Sequence, residues 1–178
     1  FHRDESVQKQ IIRQMAESTE LPVEIIVKAF EPDVDALDRT IEILGGLGQE
    51  QNQRKALEVL AARLIKRAET SGNADRATDW RKAAVAFYRL DNVVQVESCF
   101  EKAAEAAPTN FRVHLDYGSW LLAQGRPAAA TEHLQWCQRM VPHDAQVQKA
   151  MNALKRAVRD SGMIRQAAAT SSNDTAIQ

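Results

Sequence analysis

The chain has 178 residues, with 23 basic and 24 acidic side chains, 44% hydrophobic residues, seven Gly, five Pro and two Cys. A formal charge of −1 excludes a generally basic nucleic-acid binder, because counterion release needs a surplus of Lys and Arg facing phosphate. The apolar content excludes a wholly disordered chain, the scarcity of Gly and Pro excludes a turn-rich β-sandwich, and two Cys exclude a disulfide framework and favour a reducing, cytoplasmic side.

Charge is spread unevenly: net −6 over residues 1–50, +3 over 51–76, −1 over 77–144 and +3 over 145–178. There is no run of 18 apolar residues and no signal-peptide pattern. The first residue is Phe1 rather than Met, so the expectation is a piece of a longer protein, with any membrane anchor upstream.

Almost every segment carries apolar residues at helical spacing. Val7, Ile11, Ile12 and Met15 share one face, and Pro22 opens a second stretch with Val23, Ile26 and Phe30; residues 1–31 are read as a helical extension. Asp33 is an expected N-cap for a stripe of Val34, Leu37, Ile41 and Leu44, with acids enriched in its first turn. Gly45, Gly46 and Gly48 stop that helix. They follow a helix rather than a strand and lack the Lys-Ser/Thr of a phosphate-binding loop. No apolar residue interrupts Gln49 to Lys55, which is either loop or a solvated first turn. Ala56, Leu57, Leu60, Ala61, Leu64 and Ile65 then form a stripe ending near Ser71-Gly72-Asn73.

From Ala74 onward the sequence repeats. Seven pairs of matched character stand 34 residues apart: Trp80 and His114, Ala84 and Gly118, Phe87 and Leu121, Val96 and Ala130, Phe100 and Leu134, Ala103 and Cys137, Pro108 and Pro142. Each unit reads as helix, turn, helix and a closing Pro that cannot continue the helix. The expected turns are Leu90-Asp91-Asn92 and Gly125-Arg126-Pro127. A further helix begins near Ala145 with Val147, Met151, Leu154 and Val158 on one face, and 166–178 is expected to fray.

The pattern resembles the tetratricopeptide repeat, a 34-residue helix hairpin with the signature Trp-x2-Leu-Gly-x2-Tyr, Ala-x3-Phe and Pro. Unit 77–110 reads Trp80-x2-Ala83-Ala84-x2-Phe87, Val96-x3-Phe100, Pro108; unit 111–144 reads His114-x2-Tyr117-Gly118-x2-Leu121, Ala130-x3-Leu134, Pro142. His114 for Trp and Val96 for Ala are the departures in size. The resemblance implies an all-α, right-handed superhelix of hairpins (an α-solenoid), with 145–165 as a capping helix that covers the last interface. Residues 32–73 are read as a degenerate pair about six residues over the standard period, the surplus assigned to the Gly45–Gln53 loop.

In that family the first helix of each pair lines a concave groove that takes peptides or partner helices. The matching positions are Thr78, Arg81, Val85, Tyr88 and Arg89, then Arg112, Leu115, Ser119 and Leu122, then Gln146, Lys149, Ala153 and Arg156. Five basic groups and no acid suit an acidic or carboxylate-terminated segment with an apolar anchor. Val85 and Asp116 stand where the family's chaperone-tail clamp has Asn, which argues against that subtype. The expected function is therefore a non-catalytic scaffold for a protein or peptide partner, without a cofactor and without nucleic acid; a variant of this expectation is the soluble part of a membrane-anchored assembly or export complex.

Two alternatives stand beside it: a self-associating structural module, since short arrays expose apolar ends, and a helical metal protein or enzyme using His133 and Cys137, four apart on one helix. Two ligands do not make a site, and Cys137 falls on a small core position of the repeat. His114 and Asp116, two apart, point to different faces.

Overall fold

The structure, a computed structural model, describes Gln10, Arg13, Gln14 and residues 34–174. The expected extension over 1–31 lies, apart from those three residues, outside the described residues. Among the described residues every regular element is helix and there is no strand. In chain order the helices are α1 (Val34–Gly46), α2 (Glu50–Thr70), α3 (Asn73–Arg89), α4 (Val93–Ala106), α5 (Phe111–Ala123), α6 (Pro127–Met140) and α7 (Ala145–Asp174). None of them is long and apolar enough to cross a membrane. The chain forms two compact units, one ending at Pro108 with α1–α4 and one starting at Thr109 with α5–α7.

Unit 1 starts from the stripe read in the sequence: Val34, Leu37, Ile41 and Leu44 are buried, with Ala36 and Thr40 beside them. Thr40 tolerates full burial because its hydroxyl donates to the Ala36 carbonyl at 2.8 Å. The turn into α2 is three residues, with Gly48 in the left-handed region at φ 70. The Gly48 amide donates to the Gly45 carbonyl and the Gln49 amide to the Leu44 carbonyl. This is a Schellman cap, which satisfies the last free carbonyls of α1.

The helix α2 then runs 21 residues. The extra length of this pair therefore lies in α2 and not in a Gly45–Gln53 loop. Polar residues from Glu50 onward are helical, and Gln53 anchors the first turn by donating its side-chain amide to the Ile41 carbonyl at 3.1 Å. The stretch lacks apolar residues because it is a solvated start of a helix, and its first buried residue is Ala56.

Only Ser71 and Gly72 separate α2 from α3. Arg76 caps the end of α2, donating to the carbonyls of Ala68 and Ser71. Across the same junction Arg67 forks onto Asp79, Nε to Oδ2 at 2.7 Å and Nη2 to Oδ1 at 2.5 Å. Asp79 is 3% exposed. Its partner holds it in the interior, and it in turn raises the Arg67 pKa above the ordinary guanidinium value. Ala77, Trp80, Ala83, Ala84 and Ala86 supply the rest of the buried face of α3; Val96, Cys99, Phe100 and Ala103 supply that of α4.

In unit 2 the hairpin α5–α6 closes on Tyr117, Gly118, Leu121, Ala130, Leu134 and Cys137, all buried. Burying side chains the size of Leu121 and Leu134 stabilises by about 1.5–3 kcal/mol each. The helix α7 packs on both, burying Val147, Ala150, Met151 and Leu154. Its backbone continues to Asp174, past Arg165, where the sequence reading starts a fraying tail. Loss of apolar periodicity there does not end the helix, since Ala167, Ala168 and Ala169 are the best helix formers.

The 34-residue period recurs in the backbone. Helices α4 and α6 start and end 34 apart, at Val93 and Pro127 and at Ala106 and Met140. Asp91 and Gly125, the left-handed residues before them, have φ 59 and 69. Asn110 accepts from the amides of Arg112 and Val113 at the start of α5. Asp144 accepts from Gln146 and Val147 at the start of α7. Donors and acceptors alike are one period apart.

Candidate docking grooves

In unit 1 the ion pairs fix how α1 and α3 lie. Asp35 meets Lys82 at 3.7 Å and Glu42 meets Arg89 at 2.9 Å. Both pairs are seven residues apart on each helix, so α1 and α3 run parallel, with α2 beneath them. Between them lies a cavity of about 210 Å³, floored by Leu57, Leu60, Leu64 and Ala86 and rimmed by Arg81, Lys82, Arg89 and Asp38. Of the groove residues expected from sequence, Arg81, Val85 and Arg89 come together here. Tyr88 is exposed on α3 and does not line this cavity. Thr78 sits in a separate recess with Arg67, Ser71, Asp75 and Asp79.

In unit 2 the same arrangement recurs between α5 and α7. Arg112 Nη1 donates to Gln146 Oε1 at 2.7 Å, a lateral contact across exactly one period in residue number, 34. The cavity there, about 590 Å³, is floored by Leu115, Leu122, Ala150 and Ala153, with Ser119, Asp116 and Lys149 on its rim. Of the groove residues expected from sequence, Leu115, Ser119, Leu122, Gln146, Lys149 and Ala153 line this one cavity. Arg156 is exposed and donates to the Asn152 carbonyl.

The two rims differ in charge. The −6 of residues 1–50 includes Asp35, Asp38 and Glu42, which line up opposite the basic groups of α3. The groove positions of the first helices contain no acid only because α1 was left out of that set. In unit 2 Arg112 engages the neutral Gln146 amide, and no carboxylate of the described residues pairs with Arg112 or Lys149.

A histidine pair escaped the sequence reading. His114 on α5 and His133 on α6 face each other, Nδ1 to Nδ1 at 2.8 Å. Trp136 lies 4.5 Å from the His114 ring and Tyr117 4.6 Å from the His133 ring, centroid to centroid. Burial lowers the His133 pKa, the neighbouring His114 lowers it further, and Glu132 opposes them. The repeat carried the signal. His114, His133 and Trp136 stand 34 after Trp80, Cys99 and Lys102, and Lys102 lies 4.4 Å over the Trp80 ring just as Trp136 lies against His114. The pair therefore occupies a packing position of the hairpin.

His133 thus engages His114, while the Cys137 sulfur approaches the Phe111 carbonyl at 3.8 Å. Burial pushes the thiols of Cys99 and Cys137 up to about 11, so both are held protonated at neutral pH. Among the described residues no group of three or more His, Cys, Asp or Glu is placed to hold a metal ion. No family model, curated protein or solved structure matches the chain.

Proposed function

We propose that this protein is a non-catalytic docking scaffold of the tetratricopeptide-repeat kind, which holds a segment of a partner protein in grooves between parallel helices. The observation that carries the reading is the pair of grooves: in each unit two parallel helices, bridged by a third, leave a trough with an apolar floor and a charged rim. Such a trough offers an apolar side chain a dry seat and a polar backbone or carboxylate its hydrogen bonds, which is how helical repeats engage extended or helical ligands. The common period of helix ends, left-handed turn residues and capping side chains supports the family resemblance independently of the apolar pattern.

Selection of peptides from a random displayed library on the immobilised chain, followed by amide chemical-shift mapping, tests this. Selected peptides should shift the amides of α3, α5 and α7 around the groove side chains. Peptides that move only α4 and α6, or a library that yields no binder, would count against the reading.

A further inference from the structure

Resting on that reading, we infer that the groove of unit 2 takes an acidic amphipathic helix of a partner protein, and that the groove of unit 1 is closed to the same ligand by carboxylates of its own chain. The argument starts from shape. Along α5, Leu115, Ser119 and Leu122 follow one another at helical spacing, and along α7 Ala150, Ala153 and Ala157 do the same. The small side chains of α7 let a third backbone approach to the 8–10 Å of ordinary helix packing, while the two leucines offer it an apolar wall. The 13 residues of α5 make a trough roughly 20 Å long, which fits a guest helix of about four turns.

Charge then selects the guest. Arg112 stands at the start of the trough, held by a neutral amide, and Lys149 stands on its rim without an ion pair among the described residues. Asp116 and Lys149 are the one carboxylate and the one ammonium lining the trough, and Arg112, hydrogen-bonded to the lining residue Gln146, adds a second cation at its start. A planar guanidinium already presented to an amide oxygen exchanges that partner for a carboxylate with a gain in bond strength. In unit 1 that exchange is already made within the chain: Lys82 and Arg89, which line the trough, are paired with Asp35 and Glu42 of α1. An acidic guest there would have to displace acids that are tethered to the same domain and therefore present at high effective concentration.

The test uses three fluorescent helical peptides of about 14 residues. Each carries Leu at i, i+3 and i+7, and the flanking positions are Glu, Gln or Lys. Binding is followed by anisotropy at two salt concentrations, with circular dichroism to confirm that each variant is folded. The Glu peptide should bind best, one per chain, and more weakly at high salt. It should lose about tenfold or more in affinity on R112E/K149E, with the milder R112Q/K149Q as the fallback if charge reversal disturbs folding. The D35N/E42Q variant should take up a second Glu peptide per chain.

Equal binding of all three peptides, or unchanged affinity in R112E/K149E, overturns the acidic guest in unit 2 and leaves the docking scaffold standing. A D35N/E42Q variant that still takes one peptide overturns the role given to the α1 carboxylates. Failure of every peptide to bind at millimolar concentration tells against the docking scaffold itself.

Discussion

Asp91 and Gly125 hold the same left-handed backbone conformation 34 residues apart, and each closes the same two hydrogen bonds. The amides of Asp91 and Asn92 donate to the carbonyls of Tyr88 and Phe87; those of Gly125 and Arg126 donate to Leu122 and Leu121. The chain makes the turn by the same geometry whether or not it has a glycine to make it with. A Cβ in this region is strained, and Asp tolerates it better than most residues.

That equivalence predicts opposite outcomes for two substitutions. Asp91→Gly should stabilise unit 1 by about 0.5–1 kcal/mol, since the pair it gives up, to Arg54 at 3.7 Å, is exposed. Gly125→Ala should destabilise unit 2 by about 1 kcal/mol. Urea midpoints of both variants check this, with unchanged slopes showing that the same transition is being read.

Gly118 marks the closest approach of α5 and α6. A Cβ built on it would stand 2.8 Å from Leu134 Cγ and 3.2 Å from His133 Cβ, atoms near their backbones that cannot swing aside. Gly118→Leu should therefore cost at least about 1–3 kcal/mol, and Gly118→Ala should be destabilising despite the better helix propensity of Ala. Gly46→Ala, with open space around it, is the control and should be neutral or mildly stabilising in the same melts.

The Arg67–Asp79 fork is asymmetric in burial, and its two truncations should differ. Arg67→Ala leaves a buried carboxylate without its partner and should cost about 3–5 kcal/mol. Asp79→Ala leaves a guanidinium that is 46% exposed and can rehydrate, so its cost should be smaller, about 1–2 kcal/mol. Denaturant titration of both variants measures the difference, and equal losses would contradict the burial argument.

The histidine pair sets a pH dependence. His133 has a lower pKa folded than unfolded, chiefly because of burial and then because of His114, so the unfolded chain binds the extra proton first. Stability present at pH 8 should begin to fall as the pH drops through about 6.5 and go on falling to the lower folded pKa. His133→Gln should flatten that slope when urea midpoints are compared between pH 8 and pH 5.5. A slope unchanged by the substitution would assign the effect to other groups.

Much of this was legible in the sequence, for identifiable reasons. The stripes of α1, α2 and α7 gave buried faces because burial follows a helix's angular period, although Val158 at the end of the α7 stripe is 51% exposed, and Gly118 was readable as a contact point because its equivalent one period earlier, Ala84, is also small. Apolar patterning says nothing about where a polar helix starts, so the first turns of α2 could be left as a loop. The groove positions Arg81, Arg89, Leu115 and Lys149 followed from the repeat. Their electrical environment did not, because Asp35 and Glu42 reach α3 across 47 residues of sequence. The Arg67–Asp79 and His114–His133 pairs were hidden for the same reason: each joins side chains on separate helices, and only the period points to the second.

The outward face of α7 differs from that of α5 in one telling respect. Where α5 buries Gly118 and Leu121 against α6, one period later α7 presents Asn152 and Lys155 to water. An array of hairpins left with an apolar edge would recruit the next molecule end to end, and head-to-tail contacts that do not close into a ring grow into filaments. Asn152 and Lys155 put an amide and an ammonium group where such a contact would need an apolar seat, so this stretch of α7 disfavours end-to-end growth through these two positions.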